Sequence, residues 1–490
     1  MKPFLIPSSA FFLAAVASAT AAVGPEYHRP DITAPAAWKT AASAEVLSRG
    51  DWWKLFNDPA LDDLITRALG ANQDLQAAAA RVEQARAVAG IARGSYLPSV
   101  AFNPSVNRAR NSETTDNRFP VAESTTWRAS LDASWELDLF GRVRRLNESA
   151  RADATASAAD FENVRLALTA EVASSYFTLR ALDREAALLV DGVGLRRKAL
   201  DLVSSRRSNG AATDFDLARG EAELASTEAE AAALANRRAA VQNALAVLLG
   251  ADAPSYQLSA ISGQLLNPPA IPAGLPSALL ERRPDIAAAE STLASANARI
   301  GVAKAAFFPA ISLTGSFGYA SGDIDRLSNA NSKLWSIGPS VYLPVFQGGR
   351  NKANLARSRA AYEENVGLYR QRVLVAFREV QDALTATQLL ADQAAAQDRA
   401  VAAARRAGEL AQTRYDAGYV AYFEVLDAQR TVLGAERAAA QLSAQRLVNS
   451  VALIRALGGG WEGVGAISGQ FSAVSPKRAE VSTLHLATND

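Results

Sequence analysis

The sequence predicts a membrane protein of the α+β class, built from two tandem copies of one pattern of helices and strands. Three observations predict this class: strands with strict alternation of apolar and polar residues, helices of unusual length, and recurrence of the whole pattern at a nearly constant spacing. The 490 residues are 49% hydrophobic and 21% charged, with a formal net charge of +1. A net charge so close to zero gives no argument for a nucleic-acid partner, and we expect none.

Four segments alternate apolar and polar residues, as expected for strands with one apolar and one polar face. The clearest is 127–137, in which Trp127, Leu131 and Trp135 share one face and Arg128 falls on the other. The other predicted strands are 98–107, 311–320 and 335–345. Segments of about ten residues are long enough to cross an outer membrane at a tilt. Taken alone, they are equally consistent with a small soluble sheet that packs on one side.

The helices are predicted from long stretches without proline that are rich in Ala, Leu, Arg and Glu. After an initial helix that begins near residue 57, the predicted helices are 144–208, 213–249, 285–307, 350–416 and 420–457. A helix of about 65 residues is roughly 100 Å long, far more than a globular core needs.

The pattern of helix, strand, strand, long helix and helix occurs twice. Ile286 follows Leu75 by 211 residues (286 − 75), and Gly418 follows Gly210 by 208 (418 − 210). A repeat of this size defines the organisation of the chain. The predicted parts are a signal peptide 1–21, an extended segment 22–56, a first repeat 57–250, a linker 251–284, a second repeat 285–458 and a tail 459–490.

Four membrane strands cannot close a barrel, because the practical minimum is about eight. Open strand edges are not tolerated in lipid, so strands from several chains must pair. Two chains would supply about eight strands and three chains about twelve. The Ala-rich seams of the long helices favour a hollow helical cylinder that projects from the membrane. A soluble coiled-coil rod is the alternative.

Two absences limit the chemistry that the chain can perform. Cysteine is absent, which excludes disulfides, thiolate metal sites and thiol acylation. The two histidines, His28 and His485, lie near the two ends of the chain, and no cluster of side chains points to catalysis or metal binding. We therefore expect a protein that is not an enzyme and that needs neither a cofactor nor a metal.

Seven short segments are typical of one family and occur here in the family's order. They are 23–27 (VGPEY), 52–59 (WWKLFNDP), 134–142 (SWELDLFGR), 282–286 (RRPDI), 344–350 (PVFQGGR), 426–430 (LDAQR) and 457–461 (LGGGW). The chain resembles the TolC-like outer-membrane factors, specifically the outer-membrane component of a tripartite RND multidrug efflux system. Many members carry a lipidated cysteine where this chain has Ala22. We expect a non-lipidated member that is anchored by its strands alone.

The resemblance implies a homotrimer with a 12-stranded transmembrane β-barrel, four strands per chain, in the outer membrane. A long α-helical barrel would continue it into the periplasm. The implied partners are outer-membrane lipid, a periplasmic adaptor (membrane fusion) protein and an inner-membrane RND pump. The implied function is a passive exit duct for drugs or other small compounds. The alternatives are an exit duct for a type I secreted polypeptide and a periplasmic structural coiled-coil protein.

The resemblance also places a periplasmic gate where the long helices reverse. Phe423, Glu424 and Asp427 occupy the positions at which family members constrict the pore with apolar and acidic rings. Phe423 and Asp427 are four residues apart and share a helix face. Three copies would stack an apolar ring near a carboxylate ring, an arrangement that dewets a pore and favours cations.

A lock for this gate is implied by two further positions. Asp216 and Tyr415 match residues that hold neighbouring helices together in the family. Val420 stands where the family has a basic partner, which leaves Arg414 or Arg206 as the substitute.

Aromatic residues on the predicted strands are expected to face lipid near the membrane interfaces. They are Trp127, Trp135, Phe317, Tyr319 and Trp335. In a soluble sheet the same residues would form part of the core.

Overall fold

A computed structural model describes residues 22–40, 50–112, 123–258, 267–274 and 276–461. The predicted signal peptide, His485 and most of the predicted tail lie outside these residues. The helices are α1 Pro59–Ala71, α2 Gln73–Gly94, α3 Arg142–Ser208, α4 Asp214–Leu248, α5 Leu279–Arg282, α6 Pro284–Ala305, α7 Arg350–Asp416 and α8 Tyr422–Ala456. The strands are β1 Ser99–Arg110, β2 Glu123–Leu137, β3 Ala310–Ser321 and β4 Lys333–Tyr342. Among the described residues, no helix combines the length and apolar character needed to cross a membrane.

The structure divides the helix predicted to begin near residue 57 into α1 and α2. The carboxylate of Asp58 accepts a hydrogen bond from the Ala60 N–H at 3.1 Å and begins α1. Asn72 then lies in extended backbone, where its side-chain oxygen accepts from the Leu75 N–H at 2.9 Å and its amide donates to the Leu248 carbonyl at 3.0 Å. Capping of α2 by this asparagine separates the two helices, and the pattern of apolar residues does not reveal it.

The ends of the strands differ from the predicted ends by a few residues. β4 ends at Tyr342, before the predicted end at 345, because Pro344 has no N–H to donate. β2 begins at Glu123, and β1 extends to pair with this added segment. An ion pair of 3.1 Å between Arg108 and Glu123 supports the extension.

The first of two compact units comprises Met1–Ile32, Ala80–Ser157 and Ala288–Gln371. Its strands form one antiparallel sheet in the order β1-β2-β3-β4, so β2 of the first repeat pairs with β3 of the second. One row across the sheet consists of Phe102, Leu131, Phe317 and Trp335, which are 63%, 49%, 46% and 70% exposed. The alternation of the sequence therefore produces a continuous apolar face that the described residues leave exposed.

The opposite face of the sheet carries a network of polar side chains. Asp132 accepts hydrogen bonds from the Asn103 amide at 2.7 Å and from the Ser130 hydroxyl at 3.1 Å. Arg128 donates to the hydroxyl of Ser316 at 3.1 Å. The two faces of the sheet thus differ in polarity, as the alternation of the sequence predicts.

The second compact unit comprises Thr33–Ala79, Ala158–Ala287 and Arg372–Asp490. Its interior contains polar groups that are bound to one another. The carboxylate of Asp58 accepts from the Tyr176 hydroxyl at 2.7 Å and from Arg180 at 2.9 Å, and all three residues are buried. Burial, followed by the hydrogen bond to Asp58, raises the pKa of Tyr176, so this phenol stays protonated and remains a donor. This network fixes the start of α1 against α3.

Candidate functional site at the two helical reversals

Two reversals of chain direction, each between a long helix and the next helix, repeat one backbone geometry. The first reversal, residues 209–213, joins α3 to α4, and the second reversal, residues 417–421, joins α7 to α8. Gly210 and Gly418 have φ values of +73° and +77°, which favour glycine. Their N–H groups donate to the carbonyls of Arg207 and Tyr415, each at 2.9 Å. Left-handed glycines therefore end both long helices, at the 208-residue spacing that the sequence contains (418 − 210).

The first reversal ends in a capping box. The Thr213 hydroxyl accepts from the Asp216 N–H at 3.2 Å, and the Asp216 carboxylate accepts from the Thr213 N–H at 3.0 Å and from its hydroxyl at 2.7 Å. These bonds hold the pKa of Asp216 below its ordinary value. The second reversal has Ala421 at the corresponding position (421 − 213 = 208) and no side-chain cap. Local hydrogen bonds therefore fix the start of α4 more firmly than the start of α8.

The two reversals also differ in the pair of side chains that spans each of them. Arg207 and Asp214 form an ion pair across the first reversal. The corresponding residues of the second reversal are Tyr415 and Tyr422 (415 − 207 and 422 − 214 are both 208), with ring centroids 4.9 Å apart at 64°. Burial raises the pKa of Tyr422. The second reversal thus has an aromatic pair at the two positions where the first reversal has an ion pair.

Arginines of the first repeat lie against aromatic rings of the second repeat. The guanidinium carbon of Arg206 is 5.2 Å from the ring centroid of Tyr415, and that of Arg219 is 3.1 Å from the ring centroid of Phe423. Contacts of this kind contribute about 0.5–2 kcal/mol each. They connect the first reversal to the second within one chain.

The three predicted gate residues lie on the first turns of α8. Phe423 is half-buried beneath Arg219, whereas Glu424 and Asp427 are exposed. Asp427 accepts a hydrogen bond from Arg430 at 2.8 Å and nevertheless remains exposed. In the single chain, one aromatic ring and two accessible carboxylates therefore lie within five residues of one another.

The predicted lock residues are placed near one another but are not joined by a hydrogen bond. Asp216 belongs to the capping box, and the hydroxyl of Tyr415 is buried with no hydrogen-bond partner among the described residues. Arg414 is exposed at the end of α7, and Arg206 is the arginine that contacts Tyr415. Arg219 is absent from the residues predicted above. One observation in the sequence could have identified Arg219: it corresponds to Asp427 of the second repeat (427 − 219 = 208).

The helices that carry the reversals are joined by ion pairs that recur at the same spacing. Arg197 of α3 pairs with Glu228 of α4 at 2.9 Å. Arg405 of α7 pairs with Glu436 of α8, with 2.7 Å between Nε and Oε1. Both residues of the second pair follow those of the first by 208 (405 − 197 and 436 − 228). The helix pair α3–α4 and the helix pair α7–α8 are thus aligned in the same way along their lengths. The differences between the two pairs are concentrated at the reversals.

A cavity of about 210 Å³ lies between the two reversals. The side chains that line it include Arg206, Asp216 and Arg219 from the first repeat and Tyr415, Tyr422 and Phe423 from the second. Within the described chain, no group of three or more acidic or histidine side chains is arranged to hold a metal. The two reversals thus bring cationic groups and aromatic rings together around one cavity.

The aromatic residues predicted to face lipid lie on the apolar face of the sheet. They are Trp127, Trp135, Phe317, Tyr319 and Trp335. Phe317 and Trp335 are among the exposed large apolar residues, and Trp135 is 37% exposed with its indole N–H donating to the Tyr96 carbonyl at 3.0 Å. Because a backbone carbonyl accepts that hydrogen bond, the apolar part of the Trp135 ring is the part that faces outward.

Comparison with known proteins places these features in one class. The family model described as "Outer membrane efflux protein" matches residues 64–251 and 275–459. Outer membrane protein OprJ of Pseudomonas aeruginosa is 37% identical over 92% of this chain and 95% of its own length. Pyoverdine export outer membrane protein OpmQ of Pseudomonas putida is 36% identical over 88% and 93%. The solved structure of the outer-membrane channel OprN has a TM-score of 0.83 and 33% identity, and the match covers 90% of this chain and 99% of that one.

The fold and these matches define a TolC-like protein of the outer membrane. The chain belongs to the outer membrane efflux protein family, whose model matches one segment in each half of the chain. The resemblance stated from the short sequence segments is therefore confirmed.

Proposed function

We propose that the chain is the channel of a tripartite efflux system and provides a passive exit duct for drugs or other small compounds. The observation that carries this proposal is the four-stranded sheet with a continuous apolar face and with β1 and β4 at its edges. In lipid, the N–H and C=O groups of an edge strand must be paired. Three copies of four strands supply twelve, enough for a barrel with an aqueous lumen, in which β1 of one chain pairs with β4 of the next.

The transport that we propose depends on two partners. A periplasmic adaptor protein and an inner-membrane RND pump would supply the cargo and the energy, and the long helices would form a barrel in the periplasm that meets them. The export of pyoverdine named for one relative supports a cargo of small compounds.

The gate of this channel is formed by Phe423, Glu424 and Asp427 of three chains. The three aromatic rings exclude water from the constriction, and two carboxylates from each chain repel anions and attract cations. Exposure of Glu424 and Asp427 in the single chain supports this placement, because neither carboxylate is buried within its own chain.

The lock is formed by Asp216, Tyr415 and Arg414, which act in different ways. Asp216 fixes the first turn of α4, and Arg219 on that helix lies over Phe423. Tyr415 holds the second reversal through its ring contact with Arg206. Arg414 is exposed beside Tyr415, where a carboxylate of a neighbouring chain can reach it.

Removal of the gene from its host tests the function directly. Cells without the protein should retain a small fluorescent dye such as ethidium, and the wild-type gene should restore its export. Unchanged dye export together with intracellular retention of a secreted polypeptide would favour the type I duct. Release of the protein from membranes by high salt, in the soluble fraction, would favour a periplasmic coiled coil.

A further inference from the structure

The cavity between the two reversals has an excess of positive charge at its walls. The guanidinium groups of Arg206 and Arg219 form no hydrogen bond or close ion pair within the described residues, and each lies on an aromatic ring. The charge of Arg219 also contributes to the lowered pKa of Asp216. The acidic groups nearby are already engaged. Asp216 is bound in the capping box, and Glu223 lies 4.0 Å from Arg196 and 3.7 Å from Arg430.

Tyr415 contributes its ring to the wall of this cavity. Its hydroxyl is inaccessible to solvent and has no partner in the described part of the chain, so it does not open onto the cavity. A carboxylate bound in the cavity would compensate the arginines through charge-assisted hydrogen bonds.

The remaining walls of the cavity are apolar. Leu200 and Val203 of α3 and Leu426 of α8 face the space together with the ring of Tyr422. A dry apolar cavity of about 150 Å³ holds a benzene molecule. The 210 Å³ found here accommodates one ring together with a carboxylate.

We propose that this cavity binds a small organic anion with a single apolar ring, whose carboxylate is held by Arg206 and Arg219 and whose ring packs against the ring of Tyr415. The arginines come from α3 and α4, and the tyrosine comes from α7, so the bound anion joins the first reversal to the second. An occupied cavity therefore stabilises the closed gate. This last step rests on the proposed function, whereas binding does not.

Binding is tested with benzoate and the protein in lipid nanodiscs, by equilibrium dialysis against empty nanodiscs. Benzoate should bind saturably at one site per chain. Benzyl alcohol, which has the ring without the charge, and benzylamine, which has the opposite charge, should show no saturable binding. Absence of a saturable benzoate site, or equal binding of benzylamine, would overturn the proposal.

Substitutions locate the site. Arg206→Gln and Arg219→Gln should each weaken benzoate binding about tenfold or more, because each removes a charge-assisted hydrogen bond. Tyr415→Phe keeps the ring and should leave benzoate affinity unchanged, because the hydroxyl is shielded from the cavity. The matched control is Arg406→Gln, since Arg406 is an exposed arginine of α7 that does not line the cavity. Equal benzoate affinity in all four variants would place the anion elsewhere.

The effect on the gate is measured separately, as single-channel conductance in planar bilayers with and without benzoate. Wild-type conductance should fall when benzoate is added, and Arg219→Gln should not respond. Saturable binding with no change in conductance would leave the site in place and contradict the stabilisation of the closed gate by the bound anion.

Discussion

At the scale of single residues, the position of a side chain on one or the other face of the sheet decides whether a charge is tolerated. Trp335 and Ser336 are neighbours on β4 and point to opposite faces. Trp335 belongs to the apolar row, and Ser336 faces Ser316 on the polar side. This pair offers a test in which position along the strand is almost unchanged.

Trp335→Arg should reduce the amount of folded protein in the outer membrane. A lipid-facing arginine costs from about 0–1 kcal/mol near an interface to about 2–4 kcal/mol at the middle of a bilayer, because its charge loses hydration. Ser336→Arg, the matched control, should accumulate at nearly the wild-type level. Membrane fractionation followed by a heat-modifiability gel measures both. Equal accumulation of the two variants would mean that the apolar face does not contact lipid.

The second residue-level prediction concerns ion selectivity and the carboxylates of Glu424 and Asp427. The double variant Glu424→Gln, Asp427→Asn should lose most of the cation preference of the channel and its block by multivalent cations, because six carboxylates (two from each of three chains) are replaced by neutral amides. The measurement is the reversal potential in a planar bilayer under a KCl gradient. Asp398→Asn is the control, since Asp398 is an exposed acid on α7 outside the reversal. Unchanged selectivity in the double variant would place the constriction elsewhere.

At the scale of the elements, the two reversals are copies that have kept their backbone and changed their caps. Thr213 and Asp216 form a capping box at the start of α4, while Ala421 and Glu424 stand in the same positions at the start of α8. Glu424 already supplies one half of such a box. A single substitution can therefore restore the missing half.

Ala421→Thr should stabilise the first turn of α8 by about 0.5–2 kcal/mol, the usual contribution of a cap. Amide hydrogen exchange of residues 422–425 should slow accordingly, and channel opening should become rarer. Thr213→Ala is the reciprocal change, and it should speed exchange at residues 214–217. If exchange at α8 were the same with Ala421→Thr as in the wild type, a cap at this position would not limit the mobility of the second reversal.

Local sequence signals were sufficient to predict most of the helices and strands and the positions of the two reversals. They were not sufficient to predict the contacts between the reversals. Alternation places the four strands, and the spacing between Gly210 and Gly418 places both reversals, because each depends on the backbone preferences of nearby residues. The capping role of Asn72 was not predicted, since an asparagine inside an apolar pattern reads equally well as part of one helix. The contact between Arg219 and Phe423 joins residues far apart in the chain and depends on how two hairpins pack. No local pattern contains that information.

At the scale of the whole molecule, the proposed barrel requires a defined stoichiometry, because β1 and β4 form the two edges of the sheet in the described part of the chain. Native mass measurement of the detergent-solubilised protein should give three chains per particle. A stable monomer that retains its strands would contradict the barrel.

The absence of cysteine allows the pairing of edges to be tested in a clean background. Val106→Cys in β1, combined in turn with cysteines at 335, 337 and 339 in β4, should give a disulfide-linked species of three chains for at least one combination. Each single-cysteine variant should remain monomeric on a denaturing gel. If every double-cysteine chain also ran only as a monomer, β1 of one copy would not lie beside β4 of another.

The pairing of β2 with β3 has a consequence for the ancestry of the protein. A half-length precursor with one repeat would contribute two strands and one reversal, so a ring of the same size would need six identical subunits. In the proposed barrel, fusion of two such halves makes every second junction of the ring a covalent one. In a ring of six identical halves, every reversal carries the same residues, and a substitution in one is a substitution in all. In the fused chain the two reversals can differ, and here one carries the threonine–aspartate cap while the other carries a pair of tyrosines.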